Sequence, residues 1–218
     1  QALLHSCDGP GIAAAVLQGN ERIFAHCCGA ANLAHRIPIT ADTVFPVASI
    51  TKTFSGLACL IAEQEGKLNR YDSIAEYLPE FSHYGDITIQ HLLDMQSGLR
   101  EILRIKECAG LGIFDNRAHA DFISAFKAIE SRNYHPGTRY SYANTNFILL
   151  AMLLEHVYDT SYADVIQSLF LYPLGMNNSY VIDAPWPNLP GLANCYLYNN
   201  TLDIYQSGTP KTPSAGGG

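Results

Sequence analysis

Val44-Phe45-Pro46-Val47-Ala48-Ser49-Ile50-Thr51-Lys52-Thr53-Phe54 passes from an extended apolar run straight into a helix, and its reading decides the rest. From Ser49 onward, Ile50, Phe54, Leu57, Ala58 and Ile61 recur at helical spacing and mark one apolar face that stops near Gly66. Ser49 and Lys52, three residues apart at the helix start, share a face, so the lysine amine can sit beside the serine hydroxyl. That hydroxyl is a poor nucleophile until a base takes its proton. A helix N-terminus and apolar surroundings both disfavour a charged lysine, which suits it to be that base. The same N-terminus offers free backbone N–H groups to an oxyanion. The tetrapeptide alone does not decide between a nucleophile and a serine that merely caps its helix. Ser124-Ala125-Phe126-Lys127 has the same spacing, but it falls inside a helical stretch and reads as plain helix.

Working outward, residues 11–30 read as a β-hairpin, Ile12–Leu17 and Arg22–Cys28 joined through Gly19-Asn20. Thr88 caps a short helix through His91 and Leu92 that Gly98 ends. Residues 117–130 form another helix, and a strongly apolar one runs from about Asn146 to Tyr158. Ser161 with Asp164 resembles a capping box for a last helix that stops before Pro173. The expected organisation is an N-terminal hairpin in 1–48, a mainly helical region in 49–180 and an irregular segment in 181–218. Residues 209–218 read as loop. Two strands do not make a stable sheet alone, so further strands are expected from outside this chain.

Pro136-Gly137-Thr138-Arg139-Tyr140-Ser141-Tyr142-Ala143-Asn144 leads into the apolar helix and places Tyr142 and Asn144 on a turn at its start. Alternation puts both side chains on one side of an extended segment. A phenol there can relay a proton, and an amide can hold a substrate carbonyl. The bland alternative is a packing aromatic followed by a helix cap.

Together, Ser49-x-x-Lys52 and Tyr142-x-Asn144 resemble the first two motifs of the class C β-lactamase and D,D-peptidase family of serine hydrolases. The resemblance extends over most of the chain: Pro10-Gly11-Ile12-Ala13, Asp42-Thr43-Val44-Phe45, Glu65-Gly66-Lys67-Leu68, Tyr77-Leu78-Pro79-Glu80, Ile87 to Leu93 leading to Ser97-Gly98-Leu99, and Pro173-Leu174-Gly175-Met176. It implies an α/β (α+β) fold of the β-lactamase/transpeptidase-like type, a helical region on an antiparallel sheet whose C-terminal strands are absent from this chain. The catalytic cleft is then expected where helices and sheet meet. The resemblance further implies Ser49 as the nucleophile that forms an acyl-serine, with its backbone N–H as half of the oxyanion hole. Lys52 is implied as base partner, Tyr142 as sharing or relaying the proton, and Asn144 as binding the substrate's amide side. Implied substrates are D-amino-acid peptides or amides, esters and β-lactams. The alternative is a penicillin-binding or sensor protein of the same fold, without catalysis or slow to deacylate. The family's third motif, Lys- or His-x-Gly on a strand, is not matched by Lys211-Thr212-Pro213, because proline cannot donate a ladder N–H in a sheet interior.

Composition narrows the remaining classes. The chain has 218 residues, 48% hydrophobic and 15% charged, enough to bury a core. Thirteen Lys and Arg against 20 Asp and Glu leave a net charge of −7, without the basic footprint of a nucleic-acid or anionic-membrane binder. The longest apolar run, Phe147 to Leu154, is too short to span a bilayer, and the chain reads as soluble and globular. No nucleotide-binding glycine motif, metal-binding His-Glu-x-x-His or Gly-x-Ser-x-Gly elbow occurs, so no cofactor or metal is implied. His91 reads as structural. The glycosylation triplets at Asn177 and Asn199 read as turns. Six scattered cysteines read as mostly free thiols, which leaves the compartment, cytoplasm or periplasm, open. The implied partner is a small-molecule or peptide substrate, with oligomeric state unspecified.

Overall fold

In the computed structural model, which describes residues 8–108, 126–127, 129–181, 189–202 and 204–207, the first element is the expected hairpin. β1 (Ile12–Gln18) pairs antiparallel with β2 (Glu21–Cys28), from Ile12 opposite Cys28 to Gln18 opposite Glu21. Gly19 takes φ +59 in the two-residue turn, a conformation open to glycine at no steric cost. A bulge follows Val16, whose partner is Phe24 while Leu17 faces Arg22. Short strands β3 (Ala30–Asn32) and β4 (Ile37–Pro38) form a second pair.

The chain divides into two compact units. The hairpins belong to the first, which combines residues up to Pro46 with the 189–207 region. That region holds a third pair, β5 (Tyr196–Asn199) with β6 (Ile204–Ser207), where the sequence reading had an irregular segment over 181–218. The physical reason is local. Tyr196-Leu197-Tyr198 and Ile204-Tyr205 are strong strand formers, and Asn199 Oδ1 tightens the turn between them by accepting from the Thr201 and Leu202 N–H groups. The Asn199 triplet is thus a turn. The unit's small core is Ala31, Ile39 and Ala193, with Cys27 against it. Among the described residues β1 and β2 pair only with each other. Cys27, Cys59, Cys108 and Cys195 are free thiols as expected, but Cys28 is disulfide-bonded.

The second unit, from Val47 through Val181 in its described part, is helical. A 3₁₀ turn at Ala48–Ile50 feeds α1 (Thr51–Gln64). The capped turns α2 (Ile74–Tyr77) and α3 (Ile89–Leu93) follow, then α4 (Ile102–Cys108), α5 (Asn144–Tyr158) and α6 (Tyr162–Ile166). A π turn at Gln167–Leu171 extends α6 and stops before Pro173, as expected. α5 is apolar on all sides and buried along most of its length, and α1, α2, α3, α4 and α6 pack on it. Fully buried Leu149, Leu150, Leu153 and Leu154 form the centre of the core. Leu150→Ala is expected to cost about 2–5 kcal/mol of stability, read from the urea midpoint at unchanged slope.

Three local expectations shift. α1 buries Ser55, Ala58, Cys59 and Ala62, while Ile50 and Leu57 are exposed, so the packed face is turned from the expected one. Those small residues suit close packing of α1 on its neighbours, and Ser55 Oγ meets Tyr162 Oη, at the start of α6, at 2.7 Å. α3 ends at Leu93 rather than near Gly98, because Met95 takes φ +57 and Gln96 N–H closes onto the His91 carbonyl. His91 itself completes a capping box with Thr88, the expected structural role. Most of the expected 117–130 helix, Ser124 included, lies outside the described residues, as do 209–218. Within it Phe126 is helical and buried against Phe81 and Tyr84. No helix among the described residues is long and apolar enough to cross a membrane.

Candidate active site

Ala48 enters the 3₁₀ turn with φ +46, a left-handed conformation that costs a β-carbon-bearing residue about 1–2 kcal/mol. The strain stands directly before Ser49 and turns the chain from extended to helical there. The turn's hydrogen bonds run from Ile50 N to Val47 O and from Thr51 N to Ala48 O, and leave the Ser49 N–H out of that ladder. Ser49 is exposed, whereas Lys52, one turn along on α1, is only 9% exposed.

The start of α5 is held by the 95–103 stretch. Ser97 Oγ donates to Asn146 Oδ1, Asn146 Nδ2 to Met95 Sδ, Thr145 Oγ1 to the Arg100 carbonyl, and Ile102 N–H back to Thr145 Oγ1. Ala143, the residue before α5, offers no side-chain cap. Glu101 supplies it instead, accepting from Asn144 N–H, which is why the helix starts at Asn144 and not at Asn146. Gly98 makes the turn in this stretch possible. It has φ +76, and a β-carbon would lie 2.0 Å from the Tyr134 carbonyl oxygen. Gly98→Ala is expected to lose about 2–4 kcal/mol, seen as a lowered thermal midpoint, with Gly85→Ala, which meets only a 3.3 Å contact, as the mild control.

These supports bring all four sequence-predicted residues together. Ser49 Oγ and Tyr142 Oη are 2.7 Å apart, Lys52 Nζ donates to Ser49 Oγ at 3.1 Å, and it donates to Asn144 Oδ1 at 2.8 Å. Lys52 Nζ also lies over the rings of Tyr142, at 5.2 Å from the centroid, and of Phe147, at 5.7 Å. Tyr142 is 46% exposed, so the hydroxyl pair faces solvent while the amine is enclosed. Burial alone would push the Tyr142 phenol up. Hydrogen bonds from Lys52 and Ser49 and the charge of Lys52 outweigh it, with Glu101 acting upward, and the phenol is held below its usual range. The arrangement can therefore pass a proton from a serine hydroxyl to a phenol or an amine.

Glu101, Ala48 and Phe147 were not singled out from the sequence. Glu101 carries no local signal, since its partner stands 43 residues away. Ala48 is an ordinary residue whose strain only the fold creates. Lys211-Thr212-Pro213 lies outside the described residues. Among the described residues no group of three or more His, Cys, Asp or Glu could hold a metal ion.

Residues 1–206 match the family described as Beta-lactamase. A penicillin-binding protein from Bacillus subtilis (strain 168) is 28% identical over 203 residues, 92% of this chain and 43% of its own length. A D-aminopeptidase from Brucella anthropi is 31% identical over 177 residues, 80% of this chain and 33% of its own. Among solved structures, the octameric penicillin-binding protein homologue from Pyrococcus abyssi superposes with a TM-score of 0.82 at 27% identity, over 97% of this chain and 49% of that one. The chain thus spans less than half the length of these relatives.

Proposed function

This chain belongs to the beta-lactamase family, and from that premise we propose that it carries the nucleophile half of a serine hydrolase site working through an acyl-serine. The fold is β-lactamase/transpeptidase-like, and the family at a coarse level is one of serine hydrolases. One observation carries the reading beyond that: a solvent-facing serine hydroxyl held between a phenol at 2.7 Å and an enclosed amine at 3.1 Å.

Ser49 Oγ attacks an acyl carbon. Its proton goes to the Tyr142–Lys52 pair, which returns it to the departing amine or alcohol as the acyl–heteroatom bond breaks. Water then cleaves the acyl-serine ester and frees the serine. The Ser49 N–H supplies one oxyanion donor. Asn144, whose Oδ1 is taken up by Lys52, keeps part of its amino group to steer the substrate's amide. The substrate class is D-amino-acid peptides or amides, esters or β-lactams, in line with the D-aminopeptidase and penicillin-binding proteins among the relatives.

The test is a turnover assay on the full-length protein with D-alanine p-nitroanilide, p-nitrophenyl acetate and a chromogenic cephalosporin. Many turnovers per enzyme on at least one of them are expected. One equivalent of product that then stops would replace the hydrolase with a slowly deacylating binder.

A further inference from the structure

Glu101, directly before α4, receives three N–H donors. Its Oε2 accepts from Asn144 N–H. Its Oε1 accepts from Asn144 Nδ2 at 3.1 Å and from Leu103 N–H at 3.0 Å. Two of the three come from one residue, so the carboxylate grips both the backbone and the side chain of Asn144. A carboxylate in that position is an acceptor at both oxygens, while an amide side chain has one donating and one accepting end. With one Nδ2 hydrogen drawn to Glu101, the Asn144 amide turns its Oδ1 to the other side, and that is where Lys52 Nζ donates at 2.8 Å. Lys52 Nζ in turn reaches Ser49 Oγ. Three consecutive contacts thus link Glu101 to the nucleophile.

We propose that Glu101 is a positioning residue of this site: it fixes which way the Asn144 amide faces and thereby where Lys52 Nζ stands beside Ser49. This rests on the catalytic reading of Ser49, Lys52 and Tyr142. The charge of the carboxylate has a second consequence. The titratable groups acting on Tyr142 are Lys52 from α1, which lowers its phenol, and Glu101, which raises it. Glutamine at position 101 keeps the shape but removes that upward influence. It also offers a donor where Asn144 needs an acceptor, so the amide is free to flip and to turn its own N–H groups towards Lys52 Nζ.

The experiment measures the rate of serine modification by a fluorophosphonate across pH, by intact mass, in the full-length protein. It compares wild type, Glu101→Gln, Asn144→Ala and the double variant. Glu101→Gln is expected to react about ten- to a hundredfold more slowly than wild type. In the Asn144→Ala background the same change is expected to cost less than about threefold, because its effect runs through the missing amide. The low-pH limb set by Tyr142 as proton acceptor is expected to move to higher pH in Glu101→Gln, because the Lys52 hydrogen bond that holds the phenol down outweighs the upward influence of Glu101; a merely structural prop would leave the limb in place, and bare loss of the carboxylate charge would move it the other way. A Glu101→Gln rate within about threefold of wild type would overturn the proposal. So would an undiminished loss without Asn144, or a limb that stays in place or moves to lower pH. A folded wild type that takes no adduct would overturn the Ser49 reading itself, and the two failures are told apart by that wild-type arm.

Discussion

Replacing Ser49 with alanine is expected to lower turnover by about ten thousandfold or more while the protein stays folded. The substitution removes the atom on which both short contacts converge, at 2.7 Å from Tyr142 Oη and 3.1 Å from Lys52 Nζ. Ser49 is exposed and contributes little packing, so the unfolding free energy is expected to change by no more than about 0.5 kcal/mol. Steady-state kinetics together with a urea titration of the same preparation check both halves. Full activity in the alanine variant would leave Ser49 as a helix-start residue with no chemistry.

The second large effect is expected at Lys52. Lys52→Met keeps an unbranched side chain over the Tyr142 and Phe147 rings but removes the donor to Ser49 Oγ and Asn144 Oδ1. Loss of a proton-transfer partner is worth about a hundred- to ten-thousandfold in rate. The variant should also change the titration of its neighbour in a definite direction. A hydrogen bond and a positive charge from Lys52 both hold the Tyr142 phenol below its usual range, against burial and Glu101. Without Lys52 the phenol moves up, so any activity that remains should need higher pH. The tyrosinate absorbance difference between Lys52→Met and Lys52→Met/Tyr142→Phe reads the phenol directly, and a phenol that stays put would mean that Lys52 does not act on it.

Much of this site is legible in the residues because it is built from short-range spacing. Ser49, in the 3₁₀ turn that feeds α1, and Lys52, in the first turn of α1, are three residues apart, and Tyr142 and Asn144 are two residues apart where the chain enters α5. Each pair therefore has its relative placement set locally. That the two pairs meet is a tertiary fact, set by α1 packing on α5, with Ser55, Cys59 and Ala62 among the buried residues of α1. Periodicity misjudged that seam, because it counts large apolar residues, and here the close-packed face is made of small ones while Leu57 points outward. The boundary of α5 was hidden for a similar reason, since its cap comes from Glu101 and not from the chain before it. The β5–β6 hairpin was overlooked because its turn contains neither Gly nor Pro and is held by the Asn199 side chain. Cys28 shows the same limit, as spacing alone gave no reason to pair it.

The most direct measurement is the intact mass of the full-length protein before and after a reactive β-lactam or fluorophosphonate, followed by peptide mapping. One adduct is expected, on the peptide that contains Ser49, and none in Ser49→Ala. A folded protein that gains no mass, or one modified on another residue, would contradict the acyl-serine reading and leave a member of this family whose Ser49, Lys52 and Tyr142 meet without performing its chemistry.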